Sequence, residues 1–170
     1  TSMARNKRGN RKSEYAMMEL ELLSVLAEEV GKAYPIGELN RMWEMILTNQ
    51  FHDILPGSSI HEVYEQTKKE YAEIAETSEK LIGERLEAFC DTKDESVTVW
   101  NTLGHRRSDV VVLGETGAEA MTDGTNVYPV QQTEKGAILY AENLPSKGYQ
   151  VLRPAIGDAE KMPFGVTESG

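Results

Sequence analysis

The chain has 170 residues, of which 39% are hydrophobic and 27% charged, a composition typical of a soluble globular protein with one ordinary domain or two small ones. No apolar run approaches the roughly 20 residues that a membrane-spanning helix needs, and no charged start with an apolar segment opens the chain, so neither a membrane span nor a secretion signal is expected. The net charge is −10, and an acidic chain of this kind argues against general nucleic-acid binding.

Residues 1–12 form a basic segment with five Lys or Arg side chains and no acidic one, so the rest of the chain, with thirteen basic and 28 acidic side chains, carries a net charge of −15. We predict that this segment is a solvated connector whose partners lie further upstream, with a nucleic-acid arm as the weaker alternative. The chain begins at Thr1, and the run from Pro154 to Pro163 contains no element that would close a domain. We therefore expect a piece of a longer polypeptide.

Two helices are predicted next along the chain. The first is expected over about residues 13–33, because apolar residues recur at three- and four-residue steps until Pro35. The second is shorter and should end near His52, since Pro56 and Gly57 interrupt the helical pattern. The residues predicted to face the interior are Tyr15, Met18, Leu22, Val25, Leu26 and Val30 in the first helix, and Leu39, Met42, Trp43, Ile46 and Leu47 in the second.

A third helix should begin at a Ser-x-x-Glu capping box formed by Ser59 and Glu62. A seven-residue cycle then continues to Phe89, with glutamates and lysines at the outer positions. Its predicted inner residues are Ile60, Val63, Thr67, Tyr71, Ile74, Ser78, Leu81, Arg85 and Phe89. Three antiparallel helices that close on one seam would form a domain over residues 13–92.

Beyond Asp91 the pattern changes to the alternation of apolar and polar residues that is typical of strands. Turn pairs separate the runs at Asp123-Gly124, Lys135-Gly136 and Lys147-Gly148. About five short strands are expected, which we interpret as the opening of a β-sandwich over residues 96–170. The predicted fold class is α+β, an antiparallel three-helix bundle followed by the opening strands of a β-sandwich.

Several kinds of chemistry find no support in the sequence. Cys90 is the only cysteine, which rules out an intrachain disulfide and a thiolate zinc cluster and favours a reducing, cytoplasmic compartment. No phosphate-binding loop, dinucleotide pattern or nucleophile elbow is present. A retaining glycosidase needs two carboxylates about 5 Å apart, and no such pair can be nominated, so no catalytic residue is assigned within this chain.

His52 is the one histidine at which several local features converge. It precedes Asp53 at a predicted helix end and is followed by a Pro-Gly turn and a new helix start. Imidazole can bind zinc, and the carboxylate of Asp53 can bind a hydroxyl or orient a second group. On spacing alone, a hydrogen-bonded pair at a helix end is the simpler interpretation, because a zinc site needs three or four ligands.

The run from Trp43 to Ile60, W-E-M-I-L-T-N-Q-F-H-D-I-L-P-G-S-S-I, is similar to the middle-domain motif of the family 38 α-mannosidases, particularly the bacterial and cytosolic type. The opening T-S-M-A-R-N-K-R-G-N-R and the V-W-N-T-L of residues 99–103 look like flanking parts of that family. The resemblance covers most of the chain and excludes residues 155–170.

The resemblance implies a parent with an α/β catalytic domain, a three-helix middle domain and a large C-terminal β region. It implies that His52 is a ligand of a zinc ion held by two histidines and two aspartates, and that Asp53 contacts sugar hydroxyls of the substrate. Cobalt or another divalent cation is an alternative to zinc. The family hydrolyses α-mannosides with retention through an aspartate nucleophile and a second carboxylate, both in the N-terminal domain. The chain by itself is therefore expected to be inactive.

Phe51 departs from part of the family, because many secreted and Golgi members have a second histidine immediately before the ligand. This favours the bacterial or cytosolic branch. The expected partners are an α-mannoside substrate and the upstream catalytic domain of the same polypeptide, with no nucleic acid and no membrane, and an oligomer is compatible with the sequence. The alternative is a non-enzymatic helical and β module that binds a protein or a glycan, with His52 and Asp53 capping a helix.

Overall fold

The computed structural model describes residues 4–90, 95–134 and 136–155. The chain divides into two compact units, Thr1–Cys90 and Asp91–Gly170. Within the described residues, the first unit contains three helices and the second contains antiparallel strands in two sheets, so the predicted α+β class is confirmed. The domain limits predicted from the sequence extend over residues 1–3, 91–92 and 156–170, and the predicted turn at Lys135-Gly136 includes residue 135. These residues lie outside the described ones.

The helices α1 (Ala4–Glu28), α2 (Ile36–Asn49) and α3 (His61–Glu87) form an up-down-up bundle. The relative direction of α1 and α2 follows from two hydrogen bonds between them. Trp43 in the middle of α2 binds Glu21 of α1, while Gln50 at its end binds Asn10 near the start of α1, so α1 and α2 are antiparallel. None of the helices within the described residues is both long enough and apolar enough to cross a membrane.

The first helix begins earlier than predicted. Residues 4–12, predicted as part of a basic connector, are helical and continuous with the rest of α1, and their Lys and Arg side chains are exposed. Asn6, Asn10 and Ser13 are buried against the other helices. The boundary was misplaced because these inward-facing residues are polar, while the predicted start depends on the first apolar residues of the helical repeat.

The buried face of α1 also differs from the predicted one. Tyr15, Met18, Val25 and Val30 are exposed. The buried positions alternate at steps of four and three, which is the heptad spacing of a bundle seam. They are Asn6, Asn10, Ser13, Met17, Leu20, Ser24 and Ala27, with Leu23 beside them. Helix α1 thus has two candidate stripes, and the one with polar and small side chains faces the core.

The seam predicted for α3 is largely confirmed. Thr67, Ile74, Ser78 and Arg85 are buried, whereas Ile60 is exposed. In α2, Leu39, Met42 and Ile46 are buried and Leu47 is exposed. The core cluster of the bundle consists of Met17, Leu20, Leu39, Met42, Ile46 and Ile74. Each such side chain contributes about 1.5–3 kcal/mol relative to its exposed state.

The predicted capping box of α3 is wrong. The residue at the N-cap is Ile60, and its position carries no side-chain hydrogen bond. The two serines contact other groups: the hydroxyl of Ser58 lies 3.4 Å from Asp53 Oδ1, and the backbone N–H of Ser59 donates to the hydroxyl of Tyr64 at 2.8 Å. The serines therefore shape the preceding loop instead of capping the helix.

The second unit has seven strands within residues 95–134 and 136–155, two more than predicted. They are β1 (Val97–Asn101), β2 (Arg107–Gly114), β3 (Ala120–Thr122), β4 (Val127–Pro129), β5 (Gln131–Thr133), β6 (Gly136–Leu144) and β7 (Gly148–Pro154). One sheet has the order β1-β7-β3-β4 and the other β2-β6-β5, all antiparallel. The missed strands β3 and β5 are three residues long and contain no Val or Ile.

Side chains of both sheets share one core, as in a sandwich. Val99, Met121, Tyr128 and Leu152 come from the four-stranded sheet, and Leu139, Ala141 and Leu144 come from β6 of the other. The predicted turn at Asp123-Gly124 connects β3 to β4, and that at Lys147-Gly148 connects β6 to β7. Asp123 in the first of these turns accepts hydrogen bonds from Tyr128 of β4 and Gln150 of β7.

Candidate metal and substrate site

His52 and Asp53 lie in a tight turn directly after α2, which ends at Asn49. The N–H of Phe51 still donates to the carbonyl of Thr48 at 3.1 Å. The carbonyl of Phe51 then accepts hydrogen bonds from the N–H groups of Ile54 and Leu55 at 2.9 and 3.1 Å. His52 therefore sits at the C-terminal end of a helix, where the helix dipole favours positive charge.

The two side chains are adjacent and open to solvent. His52 Nε2 lies 3.3 Å from Asp53 Oδ2, and the side chains are 75% and 57% exposed. The ring of His52 also contacts the ring of Phe51, with centroids 4.3 Å apart. Asp53 Oδ1 lies 3.4 Å from the hydroxyl of Ser58. Neither side chain is committed to the core, so both can meet an external group.

The turn is tied to α1 through Gln50, the residue after the end of α2. The side-chain amide of Gln50 donates to Asn10 Oδ1 at 3.0 Å and to Glu14 Oε1 at 2.9 Å. Asn10 donates to the same carboxylate oxygen at 3.0 Å, and Arg11 donates to the other oxygen of Glu14 at 3.1 Å. These hydrogen bonds fix the side chain of Gln50, at the end of α2, against α1.

The turn is tied to α3 through Asn49, whose side chain is 2% exposed. Its amide nitrogen donates to Glu70 Oε2 at 2.7 Å, and its amide oxygen lies 2.9 Å from the hydroxyl of Thr67. Gln66 donates to the second oxygen of Glu70 at 2.8 Å. The last residue of α2 is thus hydrogen-bonded across the bundle.

Tyr71 lies between these two sets. Burial, together with the negative charges of Glu14 and Glu70, raises the pKa of its phenol to about 12. Its hydroxyl and the amide nitrogen of Asn6 are buried and have no hydrogen-bond partner within the described residues. Sequence reasoning missed this polar cluster. The signal that could have found it is the heptad spacing of Asn6, Asn10 and Ser13.

The described parts of the chain contain no group of three or more His, Cys, Asp or Glu side chains that could hold a metal ion. The His52 and Asp53 pair offers one imidazole and one carboxylate, donor types that suit zinc and other borderline divalent ions. The pair therefore offers two donors, fewer than the three or four ligands that a zinc site uses. The other two histidines, His61 at the start of α3 and His105 in the loop between β1 and β2, are exposed.

Comparison with known proteins identifies the class to which the chain belongs. Residues 1–89 match the family described as the alpha mannosidase middle domain, and the chain belongs to this family. The family recognised from the W-E-M-I-L-T-N-Q-F-H-D run is therefore confirmed.

Named relatives agree with this assignment. The chain is 34% identical over 121 residues to human alpha-mannosidase 2C1, a match that covers 69% of this chain and 12% of that protein. It is 33% identical over 178 residues to alpha-mannosidase G of Dictyostelium discoideum, covering 89% of this chain and 16% of that protein. The chain thus spans only a small part of these relatives.

Solved structures share the fold. A protein of glycosyl hydrolase family 38 from Enterococcus faecalis superposes with a TM-score of 0.69 over 94% of this chain and 25% of that one, at 16% identity. An alpha-mannosidase from Enterococcus faecalis V583 gives a TM-score of 0.57 over 84% of this chain and 23% of that one, at 15% identity. At these identities the likeness establishes the succession of three helices and two sheets.

Proposed function

We propose that the full-length protein is a metal-dependent retaining α-mannosidase in which His52 supplies one metal ligand and Asp53 binds a hydroxyl of the sugar. The observation that carries the proposal is the exposed His52 and Asp53 pair at the end of α2, in a chain whose first 89 residues match the alpha mannosidase middle domain. The names of the relatives in human and Dictyostelium support the substrate class.

The roles follow from the chemistry of the two side chains. When bound, a divalent ion supplies Lewis-acid stabilisation for sugar oxygens, and zinc is the first choice with cobalt as an alternative. His52 holds the ion through a ring nitrogen. Asp53 accepts a hydrogen bond from a sugar hydroxyl, and a charged acceptor makes that bond stronger than a neutral one.

The remaining chemistry belongs to parts of the protein beyond these residues. A retaining mechanism requires a carboxylate nucleophile and a second carboxylate that acts first as acid and then as base. We assign both to an upstream catalytic domain, because the matched relatives are much longer than this chain. The 170-residue chain by itself is then inactive. The single cysteine and Phe51 before the ligand favour a cytoplasmic protein.

The test is hydrolysis of an aryl α-mannoside by the full-length protein, with and without a chelator, for the wild type, His52→Ala and His61→Ala. His61 is a matched control, since it is an exposed histidine at the start of α3. We expect chelator-sensitive activity in the wild type and in His61→Ala, and loss of activity together with loss of bound metal in His52→Ala.

Two results would contradict the proposal in different ways. Full activity and full metal content in His52→Ala would remove the ligand role of His52. An absence of α-mannoside hydrolysis by the metal-loaded wild type would remove the assigned reaction and would favour a binding module. Saccharide binding by the 170-residue chain alone, without metal, would point the same way.

A further inference from the structure

Among the residues that the structure describes, the imidazole of His52 contacts only its chain neighbours Phe51 and Asp53, and three quarters of its side chain is exposed. The direction in which the ring projects is therefore set by the backbone of the turn. That backbone continues directly from Asn49 and Gln50. Contacts that fix these two residues therefore also fix the direction of the His52 side chain.

We infer that the side chains of Asn49 and Gln50 are positioning residues for His52, acting as a clamp that fixes the end of α2 to α3 and α1. Gln50 reaches Asn10 and Glu14 of α1, while Asn49 reaches Glu70 and Thr67 of α3. Two adjacent residues of the chain thus bind two different helices. The inference rests on the proposed role of His52 as a metal ligand.

The clamp addresses a physical weakness of helix termini. The last turn of a helix lacks donors for its final carbonyl groups and frays unless other groups hold it. A metal site tolerates displacements of only about 0.2 Å in its ligand distances. Side-chain amides fixed on carboxylates from both neighbouring helices restrict this motion, because charge-assisted hydrogen bonds are about twice as strong as neutral ones.

The carboxylates at the two ends of the clamp are themselves held in place. Glu14 accepts from Gln50 and Asn10 on one oxygen and from Arg11 on the other. Glu70 accepts from Asn49 on one oxygen and from Gln66 on the other. Rotation of either carboxylate would break a hydrogen bond, so the clamp has a defined geometry.

The clamp is separate from the contacts that hold α2 in the bundle. Helix α2 packs through Leu39, Met42 and Ile46, which lie in its first three turns. Removal of the amide of Gln50 leaves this apolar contact in place and frees only the last turn. The predicted consequence is loosened metal binding with little change in the stability of the bundle.

The experiment compares full-length wild-type protein with Gln50→Met and Gln132→Met. Gln132 is the matched control, because it is also a glutamine whose side-chain amide donates a hydrogen bond, but its acceptor is the carbonyl of Thr116 and it takes no part in the clamp. The dissociation constant for Zn²⁺ is measured by competition with a chromophoric chelator, and the visible absorption of the Co²⁺-loaded protein reports ligand geometry. We expect about tenfold weaker Zn²⁺ binding in Gln50→Met, as for residues that orient metal ligands, and no change in Gln132→Met.

A second variant, Glu14→Gln, keeps the shape of the side chain and guards against misfolding of Gln50→Met. It should weaken Zn²⁺ binding in the same direction with an unchanged circular dichroism spectrum. Unchanged Zn²⁺ affinity and Co²⁺ absorption in a folded Gln50→Met would overturn the clamp, while His52→Ala would still lose metal. Retention of tight Zn²⁺ binding by His52→Ala would instead overturn the ligand role and the clamp with it.

Discussion

A Cβ atom at Gly9 would lie 2.6 Å from Cδ2 and 2.9 Å from Cγ of Tyr71. The ring of Tyr71 is therefore packed directly on the backbone of α1. Because Cγ is bonded directly to Cβ, rotation of the ring about χ2 leaves this contact in place, and its relief requires a change of χ1 or a movement of the helix. The close approach brings the tyrosine beside Glu14 and Glu70, whose charges help to raise its pKa.

We expect Gly9→Ala to destabilise the helical unit by about 1–3 kcal/mol, the range for overpacked sites. The sign opposes intrinsic helix propensity, which favours alanine over glycine by about 1 kcal/mol. Gly83→Ala is the control, since a Cβ at Gly83 in α3 meets no atom within 4 Å among the described residues. It should stabilise the unit. Urea unfolding of the 170-residue chain, followed by helical circular dichroism, measures both, and equal shifts in the same direction would contradict the packing argument.

Arg85 should contribute more to stability than Arg41. Its guanidinium is buried and donates to the carbonyl of Ala33 at 3.3 Å and to the hydroxyl of Ser24 at 3.3 Å. Arg85→Met leaves these acceptors unpaired, so we expect a loss of about 1–3 kcal/mol.

Arg41→Met serves as the comparison in the same urea unfolding series. Arg41 is exposed and pairs with Glu38 and Glu73. Exposed ion pairs contribute about 0–1 kcal/mol, so we expect a small effect. A larger loss in Arg41→Met than in Arg85→Met would show that the assignment of their roles is reversed.

Asp123 should make the stability of the β unit depend on pH. Burial would raise the pKa of its carboxyl, but the backbone N–H groups of Asn126 and Thr125 and the hydroxyl of Tyr128 donate to it and hold the pKa below its usual range. Gln150 of β7 donates to the same carboxylate at 2.6 Å. The folded-state pKa lies below the unfolded one, so the stabilisation is present above the unfolded value, near 4, and is lost as the pH falls towards the folded value.

We therefore expect Asp123→Asn to cost about 1–3 kcal/mol at neutral pH, with the difference from wild type shrinking below about pH 4. Tryptophan fluorescence from Trp100 in the β unit can follow unfolding if Trp43 is replaced by phenylalanine in both proteins. Glu119→Gln is the control, because Glu119 is exposed. A pH-independent difference between wild type and Asp123→Asn would show that the carboxylate charge is not responsible.

Asp53→Asn in the full-length protein should separate substrate binding from metal binding. The amide keeps an oxygen but loses the charge, and hydrogen bonds to charged groups contribute about 1.5–3 kcal/mol. We expect kcat/KM for an aryl α-mannoside to fall by about 10- to 100-fold, with Zn²⁺ content unchanged. Ser58→Ala removes a hydroxyl near the same carboxylate and should have a smaller effect. Loss of Zn²⁺ from Asp53→Asn would instead make Asp53 a metal ligand.

The order of three helices and then strands could be predicted because periodicity is strong in α3 and after residue 96. The inner face of α1 could not, since Asn10 and Ser13 face the core while Met18 and Val25 face outward. Hydrophobic pattern alone chooses the more apolar stripe. Polar side chains with partners on another helix reverse that choice, as the contacts of Gln50 with Asn10 illustrate.

The candidate site could also be predicted only in part. The turn with His52 was visible from the sequence because a helix break, a histidine and an aspartate are adjacent. The hydrogen bonds that hold this turn could not be predicted. Gln50 binds Asn10 and Glu14, which are 40 and 36 residues away in the sequence, and no local pattern connects them. The capping-box prediction was wrong because the Ser-x-x-Glu spacing of Ser59 and Glu62 is present while the N-cap of α3 is the next residue, Ile60.

The parallel pairing of α1 with α3 has a consequence for folding kinetics. Ser24 and Arg85 are 61 residues apart, so this interface closes a long loop, whereas α2 follows α1 after a short connection. The entropic cost of closing a loop increases with its length, and proteins with contacts at large sequence separation fold more slowly. We therefore expect the α1–α2 hairpin to form first and α3 to dock on it afterwards. Substitutions at Arg85 should then mainly accelerate unfolding and leave the folding rate nearly unchanged.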